Sequence, residues 1–184
     1  MDALDLLLNR TSEPKLVAPA PQGEALETLF QAALRVPDHG ALHPYRFVLI
    51  EGEGRQRLGQ VCQAALLESD PGADDKARDK ALHLLERAPL VVAVISCIQD
   101  HPKVPAFEQQ LTAGLAAHAM QMAAVAQGFG GIWRTGSYAV HPKVRAALGV
   151  SGEDEIVGFL YLGTPVKTKF KVPRPDSNGF VSRF

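Results

Sequence analysis

The segment that most restricts this chain runs from about 105 to 127. Its pattern is that of a long helix, opened after Pro105 and closed by Gly128. Between Leu111 and Ala126 it is apolar almost all round and built mostly of alanine, with Met120 and Met122 as fillers. A helix apolar on every side needs burial on every side. One that is also small on every side lets neighbouring backbones come close. A chain of 184 residues has room for one core, so this helix is expected at its centre, with a second subunit covering part of it.

The remaining patterns supply layers around that helix. Asp2 caps a short first helix with Leu4, Leu7 and Leu8 on one face, and Pro14 stops it. A second helix follows Pro21, with Leu26, Leu29, Phe30, Ala33 and Leu34 at helical spacing and Pro37 marking its end. A loop, Pro37-Asp38-His39-Gly40, leads to a strand over 46–51 and a glycine turn at 52–54. Helices are predicted over 55–68 and 74–87. The run Leu90-Val91-Val92-Ala93-Val94-Ile95 is apolar on both faces and β-branched, which marks an interior strand. A short strand over 132–134, a small helix over 142–148 and a last strand over 155–162 complete the set. The tail from Thr164 reads as extended, reaching toward a partner. Helices and strands are interleaved in a single domain over 1–184, a layered α/β arrangement.

Charge excludes several classes. Nineteen Lys and Arg stand against twenty Asp and Glu, so no basic excess is available for a nucleic-acid backbone or an anionic membrane. The apolar runs are too short to span a bilayer, and the first residues carry Asp2 and Asp5 rather than a secretory signal. Cys62 and Cys97 form no paired motif and read as reduced thiols of a cytoplasmic protein.

Several residues could carry chemistry. Arg10-Thr11-Ser12 puts a cation and two hydroxyls together, a set able to hold a phosphate and equally an ordinary helix end. Arg35 suits the end of the second helix. His39 and His43 have i, i+4 spacing, but Gly40 and Pro44 oppose a helix there, so no metal site is expected. His118, inside the apolar helix, reads as a core histidine. Gly128-Phe129-Gly130-Gly131 closes a helix and opens a strand, the reverse of a dinucleotide-binding fingerprint. The glycines instead allow backbone to approach something flat or bulky, and Trp133 reads first as core. No nucleophile elbow, phosphate-binding loop or catalytic carboxylate pair is present.

Three anchors together resemble the nitroreductase family, in its short NAD(P)H nitroreductase subgroup. One is Met1-Asp2-Ala3-Leu4 through Asn9-Arg10-Thr11-Ser12. A second is Arg35-Val36-Pro37-Asp38-His39 with His43-Pro44-Tyr45-Arg46-Phe47. The third runs from Gln121 to Arg134 and resumes from Ile156 to Pro165. The resemblance implies an α+β fold: an α/β/α sandwich whose mostly antiparallel central sheet is flanked by helices, in an intertwined homodimer with FMN at the interface. It assigns Arg10, Thr11 and Ser12 to the FMN phosphate and ribityl chain, Arg35 and His39 to the flavin, and Gly131, Ile132 and Trp133 to the ring or phosphate. Arg134 would be a further anion partner. It places nicotinamide contacts at Gln121, Met122, Ala123, Ala124, Val125 and Ala126. No residue of the chain is itself named as catalytic, since FMN carries the chemistry; Arg35 is the candidate for tuning it. The activity implied is ping-pong transfer from NAD(P)H through FMN to a nitroaromatic, quinone or similar acceptor. Alternatives are dehalogenase-like or flavin-cleaving chemistry and a non-catalytic FMN-binding redox sensor. Two departures bear on affinity and acceptor choice: Thr11 stands where the family often has a second Arg, and Tyr45 where it commonly has Trp.

Overall fold

One strand organises the molecule. β3 (Leu90–Ser96) is buried along its whole length, as its run of apolar residues on both faces requires. It lies between β2 (Tyr45–Glu51) and β5 (Glu155–Pro165). The far edge of β5 carries two short strands end to end, β1 (Leu16–Val17) and β4 (Gly130–Arg134). Every pairing is antiparallel. The computed structural model of the chain describes residues 2–166 and 173–184.

Helices cover both faces. Leu90, Val92 and Val94 of β3 join a core with Leu29 and Ala33 of α2 (Glu24–Ala33) and Ala116, Ala117, Met120 and Ala124 of α5 (Ala106–Ala126). The alternate residues Val91, Ala93 and Ile95 join a second core with Leu58, Cys62 and Ala65 of α3 (Glu53–Ser69) and Val144 of α6 (Pro142–Ala147). The period of two along the strand thus feeds two cores at once. Each fully buried branched aliphatic contributes roughly 1.5–3 kcal/mol.

A bulge keeps both faces consistent on β5. Val94 pairs with Gly158 but Ile95 pairs with Ile156, so Val157 is the extra residue. Ile156 therefore shares the α3 side with Phe159 and Tyr161, whereas Leu160 and Leu162 face α5. Without the bulge, the strand's end would show the wrong face to each core.

Four expectations need correction, the last of them on the long helix. The helix expected over 74–87 is α4 (Asp75–Leu82) followed by a separate 3-10 turn, Leu84–Arg87, with the break at His83. The last strand runs on to Pro165, because Thr164 and Pro165 pair with Val17 and Leu16 of β1. The extended tail expected from Thr164 therefore begins later. Part of it, 167–172, lies outside the described residues, and 173–184 is exposed with one short turn at Ser177–Gly179.

The long helix behaves differently on its two sides. The side with Ala113, Ala116, Ala117, Met120 and Ala124 is buried, but Phe107 is 66% and Leu111 53% exposed, with Leu115 and His118 also open. His118 is thus not a core histidine; it continues an outward stripe at i, i+4, i+8 and i+11 from Phe107. Next to α5 lies α1 (Ala3–Asn9), which Asp2 caps as expected through the N–H groups of Leu4 and Asp5. It buries no residue, and Leu4 is 66% exposed. Seven residues are too few for a helix to persist in water alone, and the described residues leave its apolar face largely open.

Candidate functional site

The turn out of α5 builds the first half of the site. Gly128, at φ 88°, ends the helix in a backbone region that side chains disfavour. β4 then returns along α5. The Gly131 carbonyl accepts two hydrogen bonds, from the Gln121 side chain at 3.0 Å and from the Glu13 backbone N–H at 3.1 Å. The second of these ties the segment after Arg10-Thr11-Ser12 to the strand Gly131-Ile132-Trp133. The structure therefore brings together residues that lie more than a hundred positions apart in the chain.

Within the trio the three side chains have different work. The Thr11 hydroxyl donates to the Glu13 carboxylate at 2.5 Å, and Glu13 is buried. A buried carboxylate requires such a donor. Arg10 is half-buried and Ser12 exposed, and among the described residues no side-chain hydrogen bond or ion pair engages either of them.

The glycines and Trp133 are accommodated by the protein's own atoms. A Cβ on Gly130 would meet Glu13 Cγ at 3.0 Å, and one on Gly131 would meet Leu162 Cδ2 at 3.1 Å. The close approach that the glycine run allows is thus to neighbouring side chains of the fold. Trp133 packs on the α5-side core. Its ring fills the place of a side chain at Gly158, where an added Cβ would lie 2.0 Å from Trp133 Nε1.

Alternation along β4 separates Trp133 from its neighbours. Ile132 packs on the α3-side core, and the Arg134 guanidinium stands 6.0 Å from the ring centre of Tyr161, a member of that same core. Arg134 Nε is buried without a hydrogen-bond partner among the described residues. The guanidinium borders a cavity of about 760 Å³ that is also lined by Glu13, Lys15 and Arg87. Three cations there face one carboxylate that Thr11 already engages. Lys15 and Arg87 carry no motif, and only the fold places them beside Arg134.

Arg35 and His39 stand apart from this group. Their loop docks on the first half of α5: Thr112 donates its hydroxyl to the Pro37 carbonyl at 3.3 Å, and His39 Nδ1 lies 2.7 Å from Glu108 Oε2. Gln121, which touches Gly131, is 13 residues further along α5, or about 20 Å at the rise of a helix. Two clusters on one protomer are therefore separated along the same helix. Nearby, Tyr45, Phe47 and Phe30 form a stack with ring centres 5.4 and 5.9 Å apart. Burial, and secondarily Asp38, pushes the Tyr45 phenol up from its ordinary value, so it stays protonated and can donate.

The stretch expected to meet a nicotinamide is largely inside the protomer. Gln121 and Met122 are buried, Ala124 fully so, and the Gln121 amide is engaged by Gly131. Only Ala126 and the half-buried Ala123 and Val125 remain accessible for such contact. The two thiols are free, as expected; Cys62 is buried and Cys97 half-buried. No cluster of metal-ligating side chains exists among the described residues, and no helix there is long and apolar enough to cross a membrane.

Comparison with known proteins gives the chain's family and fold. The model of the family described as "Nitroreductase family" matches residues 7–164. The chain is 49% identical over 185 residues to a protein of Escherichia coli (strain K12) named "Putative NAD(P)H nitroreductase YdjA", covering all of both chains. Among solved structures, a nitroreductase-like family protein from Bacillus cereus superposes with a TM-score of 0.84 at 20% identity, covering 100% of this chain and 96% of that one. A nitroreductase with bound FMN from Bacteroides fragilis superposes with a TM-score of 0.76 at 19% identity, covering 100% and 99%. With a family model matching most of its length and a full-length relative at 49% identity, the chain belongs to the nitroreductase family.

Proposed function

We propose that this protein is an FMN-dependent NAD(P)H oxidoreductase that works as a homodimer, with each flavin held between the Arg10–Ser12 cluster of one protomer and the Arg35–His39 loop of its partner. The observation that carries the reading is the division of the site. One cluster holds uncommitted groups suited to an anion, the other lies about 20 Å along α5, and the stripe Phe107, Leu111 and Leu115 is left open. A second copy laid on that stripe covers the apolar surface of α1 and α5 and can bring the two clusters together.

The residues present fit FMN. Arg10 and Ser12 supply a cation and a hydroxyl for its phosphate, and charge-assisted bonds of this type are worth on the order of 1.5–3 kcal/mol each. Thr11, by holding Glu13, keeps a buried carboxylate from confronting that phosphate. Lys15, Arg87 and Arg134 surround the adjoining cavity and raise its positive charge. The backbone of Gly131, Ile132 and Trp133 forms a rigid floor, locked by Gln121 and by the Trp133–Gly158 fit.

FMN, when bound, supplies hydride acceptance from NAD(P)H and delivery of electrons to a nitroaromatic, quinone or similar acceptor. The chain's own residues bind, orient and tune it. Arg35, exposed in the protomer, is the residue we assign to stabilising the added negative charge of the reduced ring. The test is an absorption spectrum of the purified protein followed by anaerobic titration with NADH and NADPH. Flavin bands that either nicotinamide bleaches are expected, followed by turnover with a quinone or nitroaromatic. A colourless protein that ignores added FMN would end the reading. An unchanged FMN reduction potential in Arg35→Ala would remove the tuning role alone.

A further inference from the structure

The loop that carries His39 is held more firmly than its exposure requires. Gly40, Ala41 and His43 all adopt positive φ, at 77°, 52° and 47°, and for the latter two this backbone region carries a steric cost. The Asp38 carboxylate offsets that cost by accepting the N–H groups of His43 at 2.8 Å and Leu42 at 3.3 Å. Gln99 donates to the Leu42 carbonyl at 2.7 Å, and Thr112 to that of Pro37. Gly40 packs on the side chain of Val104, two residues before α5 begins. His39 is thereby fixed against the first turn of α5, where Glu108 meets its Nδ1 at 2.7 Å.

Stability does not explain this contact. The two side chains are 58% and 41% exposed in the protomer, and exposed pairs contribute little. The pair does border the open stripe, since Glu108 lies between Phe107 and Leu111 in the chain, and Leu111 is one turn on from it. Cover over that stripe also lowers the dielectric around the pair and strengthens its hydrogen bond.

We infer that Glu108 is a positioning residue for His39: its carboxylate holds the proton on Nδ1 and turns Nε2 outward, toward the flavin of the assembled dimer. This rests on the proposed placement of His39 at FMN. The chemistry follows from the donor inventory. A carboxylate only accepts, so the nitrogen facing it carries the hydrogen whether the ring is neutral or charged. Nε2, which has no hydrogen bond among the described residues, is the atom left to meet the ligand. Without Glu108 the neutral ring is free to exchange tautomers and to rotate.

The variants sort by what residue 108 can accept. Glu108→Gln retains an acceptor oxygen, Glu108→Ala has none, and Glu108→Lys offers only donors. Histidine ¹⁵N spectra of the full-length protein at roughly pH 8.5, above the ordinary histidine range, report the tautomer with or without FMN. We expect the Nδ1–H form in the parent and in E108Q, a mixture in E108A, and the opposite form in E108K. FMN titrations should show E108A binding roughly two- to tenfold more weakly, E108Q near the parent, and no additional loss when E108A is combined with His39→Ala. An unaltered tautomer in E108A would overturn the proposal. So would a His39→Ala variant that weakens FMN while E108A does not. If His39→Ala leaves FMN affinity unchanged, the placement of His39 at the flavin fails, and the positioning role falls with it.

Discussion

The two faces of the sheet are finished to different degrees. On the α3 side, apart from the cavity bordered by Arg134 and Arg87, the chain packs on itself: Val91, Ala93 and Ile95 meet Leu58, Cys62, Leu85 and Val144, and the glycine that lets α3 meet the end of α4, Gly59, leaves no room for even a methyl group. On the α5 side, the inner half of the core is equally well buried, but the outer side of α5 and most of α1 remain uncovered. The proposed FMN ligands Arg10, Ser12, Arg35 and His39 belong to the side that is not finished. The contrast is that the chain fills one face by itself, while the other leaves apolar surface open, the surface that the proposed dimer would cover together with its site.

The sharpest way to break that contrast is to place a charge on the open stripe. Leu111→Glu should weaken self-association a hundredfold or more, about 3 kcal/mol, because the carboxylate would be buried without a partner. Sedimentation velocity checks this, and FMN binding should fall with it while far-UV circular dichroism stays native. A variant that remains a dimer with undiminished FMN would remove the stripe from the interface.

Next in size is Arg10→Ala. Loss of one charge-assisted contact should weaken FMN about 10- to 100-fold, read by fluorescence titration, with little change in the urea midpoint. Equal losses in affinity and stability would mean that Arg10 belongs to the framework instead.

The complementary test strikes the closed face. In Gly59→Ala the new Cβ would lie 2.0 Å from the Leu82 carbonyl oxygen, so α3 and α4 must shift apart, at a cost of about 1–3 kcal/mol. Urea unfolding should show this, while the folded fraction binds FMN normally. A drop in FMN affinity greater than the stability loss would mean the two faces are coupled.

The smallest expected effect is a pH dependence to which Cys62 and Tyr161 of the α3-side core contribute. Burial pushes the Cys62 thiol up to about 11 and the Tyr161 phenol up to about 12. Raised values mean that the folded state keeps protons which the unfolded chain releases, so this contribution is full below the ordinary thiol value near 9 and declines as pH rises through about 11. Urea midpoints measured across that window should fall, and the fall should be shallower in Cys62→Ala. An identical slope in that variant would assign the loss to other groups.

Much of the fold was legible from local pattern. The apolar run of β3, the Asp2 cap, the alanine helix and the glycine-ended turn into β4 were all readable, because each depends on neighbours in the chain. β1 was not: two residues carry no periodicity, and they are a strand only because Leu16 and Val17 meet the end of β5. His118 was misplaced among core residues for a related reason. Its neighbours are apolar, but which side of α5 faces the sheet is decided by how α2 and the strands pack on it.

The candidate site divides along the same line. The roles proposed for Arg10, Ser12, Arg35 and His39 were suggested by the family's anchors in the sequence. Glu108 was not, as it lies 69 residues from His39, and neither was the lock of Trp133 over Gly158. Nor did any pattern reveal that Lys15 and Arg87 would join Arg134 around one cavity.

What the amino-acid order determined by itself was the kind of element at most places and the central position of the alanine helix, since both follow from spacing and side-chain chemistry within a few turns. Only the tertiary structure decided which face of that helix stays open, which carbonyl Gln121 and Glu13 share, and that the two halves of the site stand apart. Those are consequences of long-range packing, where the cost of an unfilled or overfilled space is set by residues that no local pattern names.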